Sequence, residues 1–404
     1  MSRRAVICGG SIGGLFCAAF LRKAGWDTVV LERSRNELSG RGAGIVTHDL
    51  LLDLIARAGA PITELGVQVQ DRVAFDLAGD RVATLPLPQI VTSWDRVHSL
   101  LRALVPDGGY RLDKAVARYD DDGDSVKLTC EDGSQFEADV LIGADGFRSA
   151  LRGQMQPEVQ PVYSGYVVWR CLAREADLHP DLRDQVFDSF GFFLPQGTQI
   201  LGYPIAGPGN DLRPGHRRYN FVWYAPVEAG ELAEMLTDAK GIHHPVTIPP
   251  PLVRDDVLDR MHGFARNHLA KPFLEVLARS ERPFFTPIYD HLSPVFAAGR
   301  VALAGDAACV ARPHVGMGVT KAAADAEALA RHLTAGAVTQ ALAAYGTERH
   351  AAAALAHATA QRLGRYIFAG PGQGSNHDGR NNPNLARIMA ETAVVPAAPD
   401  YPVT

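Results

Sequence analysis

The sequence predicts an α/β protein of two lobes, and three observations carry that prediction. The chain has 404 residues, beyond the size at which a single hydrophobic core usually stops growing. It opens with a strand, a glycine-rich turn, a helix and a second strand. Its middle, residues 162–226, turns strand-rich and holds 12 of the 31 aromatic residues. The layout that follows is a dinucleotide-binding lobe assembled from segments 1–75, 95–158 and 285–336. A β-sheet lobe drawn from 76–94 and 159–284 is inserted into it, and C-terminal helices and a tail occupy 337–404.

Taken in order, residues 5–8 (Ala-Val-Ile-Cys) read as a buried strand and Ile12 to Lys23 as a helix with apolar Leu15, Ala18, Ala19 and Leu21, stopped by Gly25. Residues 28–31 form the second strand of a βαβ opening. Arg3-Arg4 followed by the uncharged run to Leu21 superficially matches a secretory signal, but four glycines within six residues suit a turn better than a signal helix. No other uncharged apolar stretch approaches the roughly 18 residues of a membrane span. A helix at 48–58 is started by Thr47 and ended by Gly59, and another runs over 94–104. Strands at 125–130 and 135–142 flank the turn Glu131-Asp132-Gly133. In the aromatic region, 163–169 and 219–224 are strands whose two faces alternate, so one sheet supplies both a packed core and a pocket wall. The prolines at 249–251 mark a connection and 254–277 a helical stretch. Residues 301–304 return to strand character, 317–333 and 338–367 are alanine-rich helices, and 370–384 is a Gly/Asn/Pro tail segment.

Composition narrows the partners. With 47% hydrophobic and 21% charged residues and a net charge of -5, the chain has no basic footprint for nucleic acid or anionic lipid, which leaves a small molecule as the expected ligand. Five widely spaced cysteines suit a reducing cytoplasm better than a disulfide framework. No cysteine or histidine spacing suggests a metal site. His243-His244, beside Pro245, is read as surface.

Three segments carry chemistry. Gly9-Gly10-Ser11-Ile12-Gly13-Gly14 lies between strand and helix, where glycine lets the backbone approach a pyrophosphate and the helix start offers free N–H groups. Ser11 replaces one glycine of the usual pattern. Glu32, at the end of the second strand and next to Arg33, is placed to accept hydrogen bonds from ribose hydroxyls, and would oppose a 2′-phosphate. The second segment, 139–149, puts Asp145 in a Gly-Ala-Asp-Gly turn at a strand's carboxyl end, with Arg152 beyond. In the third, Gly305-Asp306 offers a carboxylate to a sugar-like hydroxyl. The glycine-rich helix start at Gly316, Gly318 and Val319 is suited to negative charge on a ring. As isolated turns, the first two segments are equally compatible with packing alone.

In order and spacing, these segments resemble the single-component FAD-dependent aromatic hydroxylases over nearly the whole chain. Gly9-Gly10-Ser11-Ile12, Gly42-Ala43-Gly44-Ile45-Val46, residues 163–170 (Tyr-Ser-Gly-Tyr-Val-Val-Trp-Arg) and Arg312-Pro313-His314 are similar to the members that act on hydroxypyridines. The resemblance implies the p-hydroxybenzoate hydroxylase-like fold, bound FAD, and NAD(P)H and O2 as cosubstrates. It implies that NAD(P)H reduces the flavin and that a flavin hydroperoxide then hydroxylates an activated aromatic ring. It also implies a homodimer and no separate nicotinamide domain, in keeping with the lack of a second glycine fingerprint. The cofactor set becomes Gly9, Ser11, Ile12, Gly14, Glu32, Arg33, Gly44, Asp145, Asp306, Gly316, Gly318 and Val319. Relatives commonly differ at Cys309, Met317 and Thr320. Other readings of the scaffold are a flavin reductase, a halogenase, whose Trp-x-Trp-x-Ile-Pro segment this chain lacks, and a dinucleotide-sensing regulator.

The expected substrate is a planar hydroxylated ring, a pyridinol rather than a simple phenol, bound against residues drawn from Tyr203, Tyr219, Trp223, Tyr224 and Pro313. Activating such a ring calls for removal of a hydroxyl proton, and His314 and His48 are the candidate bases.

Overall fold

A computed structural model describes residues 3–38, 44–334, 336–368, 378–380 and 382–396. Gly42 and Ala43, and most of the expected tail segment 370–384, lie outside the described residues.

The βαβ opening forms as the sequence predicts. Arg4–Cys8 and Asp27–Leu31 pair in parallel around the helix Ile12–Lys23, whose residues from Leu15 to Leu21 are all buried. The run after Arg3-Arg4 is thus the middle of a sheet and its covering helix. Val140–Gly143 adds beside the first strand and Val301–Leu303 beside that, both parallel. Tyr110–Arg111 and Ala297–Ala298 complete a six-stranded sheet. The segment expected as one strand over 135–142 is two. Gln135–Ala138 closes a separate three-stranded sheet with Val116–Asp121 and Val126–Cys130, and Val140–Gly143 joins the main one.

A nine-stranded sheet makes the second lobe. Its centre is antiparallel, with Val162–Arg174, Arg218–Pro226 and Gln199–Ile205 in continuous register. Its far side shows that the lobe boundaries drawn from the sequence are misplaced. Val67–Phe75, assigned to the first lobe, pairs with Ser189–Phe193 and with Arg81–Ser93, and Gly44–Val46 pairs with the latter. Phe284–Leu292 pairs with Val162–Arg174. The chain crosses between lobes more often than composition reveals, because strand pairing is chosen by partners far away in sequence.

Helices pack along one face of this sheet. Asp255–His268 and Lys271–Ala278, separated at Leu269-Ala270, replace the single helical stretch expected over 254–277. With Ala229–Met235 they pack on Trp169, Tyr219, Phe221 and Trp223. The long helices Gly318–Leu333 and Val338–Gly364 lie against the first lobe. A short helix not foreseen in the sequence, Leu385–Glu391, packs with Val46, Tyr203 and Tyr224 on the other face of the nine-stranded sheet. Among the described residues no helix is long and apolar enough to cross a membrane.

Candidate active site

The three chemical segments, more than 100 residues apart from one to the next, meet because their strands are parallel and in register. Cys8 pairs with Leu31 and with Gly143, and Gly143 with Leu303. The residues that follow those strand ends, Gly9, Glu32, Ala144-Asp145 and Gly305-Asp306, therefore emerge along one edge. Carboxyl ends of parallel strands are where such sheets bind ligands.

At this edge two glycines are dictated by contact. Gly9 has φ +109°, and a Cβ there would fall 2.1 Å from the Ala144 carbonyl oxygen; one on Gly14 would fall 1.8 Å from the Gly9 oxygen. They let the first turn close on itself and on the second segment. The helix Ile12–Lys23 has no acidic residue in its first turn and no side-chain cap from Ser11, which leaves its first N–H groups for an anion. The Glu32 carboxylate accepts from the N–H groups of Gly10 and Ser34, each at 2.8 Å, so it is held rigidly facing the turn. Asp145 accepts from Ala150 N–H at 2.8 Å through Oδ2, while its Oδ1 is buried without a partner. Burial raises this carboxyl above the usual range. Gly9, Ser11, Glu32, Arg33, Asp145 and Arg148 line a cavity of about 360 Å³. An unpaired buried carboxylate oxygen, open helix N–H groups and a fixed acid fit the sugar and phosphate end of a dinucleotide.

The third segment is clamped from behind by residues that the sequence analysis passed over. Lys321 Nζ donates to the Gly305 carbonyl at 2.7 Å, and Asp325 accepts from the Gly305 N–H at 2.9 Å and from Arg349 at 2.8 Å. Buried Arg152 donates to Phe147 O at 2.7 Å and Ala307 O at 3.1 Å, tying the second segment to the third. Asp306, one residue past the clamp, is exposed. The surrounding protein raises its carboxyl, with Lys321 pulling the other way. Gly318 begins the long helix in open space, with Val319 half-buried beside it.

The aromatic sheet divides by alternation. Tyr224 and Tyr203 lie on the face toward Gly44–Val46, where a Cβ on Gly44 would meet Tyr203 and Asn220. Gly44 is thus explained by close packing of backbone on the sheet. Tyr219 and Trp223 lie on the opposite face, Trp223 donating to Thr198 at 2.7 Å and stacking with Phe264. Their expected role against the substrate is therefore corrected: residues 219 and 223 share one strand face and 224 takes the other. Period-two reading of 219–224 would have separated them.

His314 also departs from expectation. It is 1% exposed, and both ring nitrogens are engaged, Nε2 with the Tyr166 hydroxyl and Nδ1 with Gln199 Oε1, each at 2.9 Å. Burial, and next the charge of Arg312, push it down to about 3. With no free nitrogen it does not serve as a base. His48 keeps one. Its Nδ1 is 3.1 Å from Thr320 Oγ1, while Nε2 is buried without a well-formed hydrogen bond; burial lowers its pKa, and the Ala393 backbone pulls the other way. Pro313 is half-buried in the one-turn helix that ends at Gly316, φ +61°.

A third wall comes from the C-terminal segment. Fully buried Arg72 donates to the carbonyls of Met389, Thr392 and Ala393, and to Gln89 Oε1 at 2.6 Å. Ala393 N–H donates to His314 O at 2.8 Å, and Ala393 lies against Gly316. Val394 and Val395 share a cavity of about 590 Å³ with Thr47, His48 and Gln89.

Comparison with known proteins agrees with this geometry. Family models for an NAD(P)-binding Rossmann-like domain, an FAD binding domain-like region and an FAD binding domain match residues 7–65, 163–290 and 276–360. The chain is 34% identical to 2,6-dihydroxypyridine 3-monooxygenase of Paenarthrobacter nicotinovorans over 82% of this chain and 83% of that one. It is 29% identical to 3-amino-4-hydroxybenzoate 2-monooxygenase of Streptomyces cremeus over 98% and 97%. The solved structure of 2,6-dihydroxypyridine-3-hydroxylase from Arthrobacter nicotinovorans superposes with a TM-score of 0.88 at 29% identity, covering 100% of both chains.

Proposed function

The chain belongs to the single-component FAD-dependent monooxygenases, and we propose that within them it hydroxylates a hydroxypyridine-type ring held between Pro313 and the Tyr203–Tyr224 face of the sheet. The observation that carries this reading is the alternation that sets Tyr203, Asn220 and Tyr224 on the face toward Gly44, backed by the similarity to dihydroxypyridine-acting relatives. Bound FAD would carry two electrons from NAD(P)H to O2, one atom of which would enter the ring while the other leaves as water.

The residues of the chain hold and orient. Gly9, Ser11, Ile12 and Gly14 bring helix N–H groups to the pyrophosphate, Glu32 and Arg33 face the adenosine end, and Asp145 and Asp306 face hydroxyls. Gly316, Gly318 and Val319 take the ring end, with Gly44 opposite. His48 Nε2 takes the proton of a substrate hydroxyl. Its partner Thr320 holds the imidazole, and its lowered pKa keeps it neutral and ready at neutral pH. The C-terminal segment excludes water from this side. The same reading takes the enzyme as a cytoplasmic homodimer, in keeping with five buried unpaired cysteines; sedimentation of the holoenzyme as a monomer would remove the dimer.

Purified protein is expected to carry FAD, and Asp306→Ala and Gly14→Val to weaken its retention, the latter because its Cβ collides with the Gly9 carbonyl. Bound FMN, or no flavin after reconstitution, overturns the cofactor assignment. A panel of hydroxypyridines and phenols, assayed for NAD(P)H oxidation and hydroxylated product together, tests the substrate: turnover of phenols alone overturns the pyridine class.

A further inference from the structure

On the substrate face, three polar side chains lack the partners that burial normally demands. Gln199 and Asn220 are each 2% exposed, and Gln199 Nε2 and Asn220 Nδ2 have no hydrogen-bond partner. Arg170, half-buried, makes no hydrogen bond or ion pair with a described residue, yet its charge is felt by both Tyr203 and Tyr224. Register puts them together. Arg170 pairs with Val222, Gln199 with Tyr224, and Asn220 is two residues from Val222 on the same strand, so all three point to one face.

The direction of the Gln199 amide is decided by a chain of hydrogen bonds whose polarity starts at an ion pair. Asp290 accepts from Arg312 Nε at 2.6 Å. The Arg312 guanidinium, which has only donors, lies beside the Tyr166 hydroxyl. The single Tyr166 proton must therefore go the other way, to His314 Nε2 at 2.9 Å. That places the imidazole proton on Nδ1, which donates to Gln199 Oε1 at 2.9 Å, and the Gln199 NH2 is left facing the site. Burial keeps both links in the required state, since it raises the Tyr166 phenol far above its ordinary value and holds His314 neutral.

We propose that Arg170, Gln199 and Asn220 form a donor surface that selects the substrate by an unprotonated ring oxygen, a carbonyl or oxyanion, and that the chain Asp290–Arg312–Tyr166–His314 fixes Gln199 as a donor. This rests on the hydroxypyridine reading, since a ring with one hydroxyl and one carbonyl offers His48 a proton and this surface an acceptor. Arg170, Gln199 and Asn220 determine specificity. Tyr166 and His314 are positioning residues.

The test is titration of the FAD holoenzyme with 2,6-dihydroxypyridine and, separately, 4-hydroxybenzoate, read by perturbation of the flavin absorbance, together with KM and kcat. Arg170→Gln and Gln199→Glu are expected to raise Kd about 10- to 100-fold. The change should fall on KM, leave kcat near wild type and leave FAD content unchanged. Arg170→Lys should restore part of the loss, and it decides the matter if Arg170→Gln fails to fold. Tyr166→Phe should weaken binding in the wild-type background but add nothing to Gln199→Leu, because its effect passes through that amide. Values of Kd within twofold of wild type for both Arg170→Gln and Gln199→Glu overturn the donor surface. Additivity of Tyr166→Phe with Gln199→Leu overturns the polarity chain. Wild-type binding of 4-hydroxybenzoate but not of the pyridine, lost in Arg170→Gln, overturns the substrate class and leaves the donor surface standing. Binding of neither ring overturns both.

Discussion

The two faces of the nine-stranded sheet are built from the same strands and differ in what they leave unfinished. On the helix-covered face, Trp169, Phe221 and Trp223 pack among apolar side chains, with a cavity of about 350 Å³ beside Trp169 and Trp223, and Trp223 has its N–H satisfied by Thr198. Tyr219, whose ring fills the space left by Gly191 and Gly202, is the exception, with a buried hydroxyl that has no partner. On the opposite face, neighbouring strands carry the amide nitrogens of Gln199 and Asn220, both buried and unpaired. Aromatic content is similar on the two sides, so it does not identify a ligand site. Unpaired polar groups gathered on one face do, because each costs desolvation that the protein alone does not recover.

Substitutions on each face separate the two roles. The largest effect is expected from His48→Asn, which should slow hydroxylation by about 10²- to 10⁴-fold. It should also remove the acid limb of the rate profile, which lies below pH 6.5 because burial lowers this group and a base works only when deprotonated. FAD content should be retained. A near-wild-type rate and profile would assign ring ionisation to solvent or a tyrosine.

Trp223→Ala, one residue from Tyr224 but on the packed face, should cost about 3–5 kcal/mol of stability in urea unfolding while KM of the folded enzyme stays within about twofold, a margin well below the tenfold that 1.4 kcal/mol of binding would give. A specific rise in KM would return Trp223 to the substrate wall.

A smaller effect, about 1–3 kcal/mol, is expected for Arg72→Met, which leaves the Met389 and Thr392 carbonyls without their donor and the Ala393 carbonyl with Gln89 alone. Increased protease cleavage after residue 384 together with a raised KM would show the C-terminal segment acting as a wall of the site. Loss of stability with unchanged KM would confine it to packing.

The smallest effect concerns acid stability. His314, pushed down to about 3, and His291, pushed down to about 4, are neutral when folded but bind protons when unfolded. The unfolded chain then takes up more protons, and stability falls as pH drops from about 6.5 toward those values. His314→Asn should flatten part of that slope in melting temperature against pH. An unchanged slope would mean that other groups govern it.

What could be read from the sequence was local. A strand, four glycines within six residues and a helix specify a turn wherever they occur, and Glu32, Asp145 and Asp306 could be placed because each lies within three residues of a strand end. Alternation along 219–224 was equally local, and applying it would have separated Tyr219 and Trp223 from Tyr224. Tertiary structure alone decided the rest. The Lys321–Asp325 clamp on Gly305, the polarity running from Arg312 through His314 to Gln199, and the closure of the site by residues near Ala393 join positions up to 321 residues apart. Such contacts leave no periodicity in the chain, because a hydrogen bond depends on where two strands or loops meet in space and not on their separation in sequence. A histidine's surroundings follow from the same placement: His314 and His48 are indistinguishable as residues, and only the fold engages both ring nitrogens of the first and leaves Nε2 of the second without a well-formed hydrogen bond.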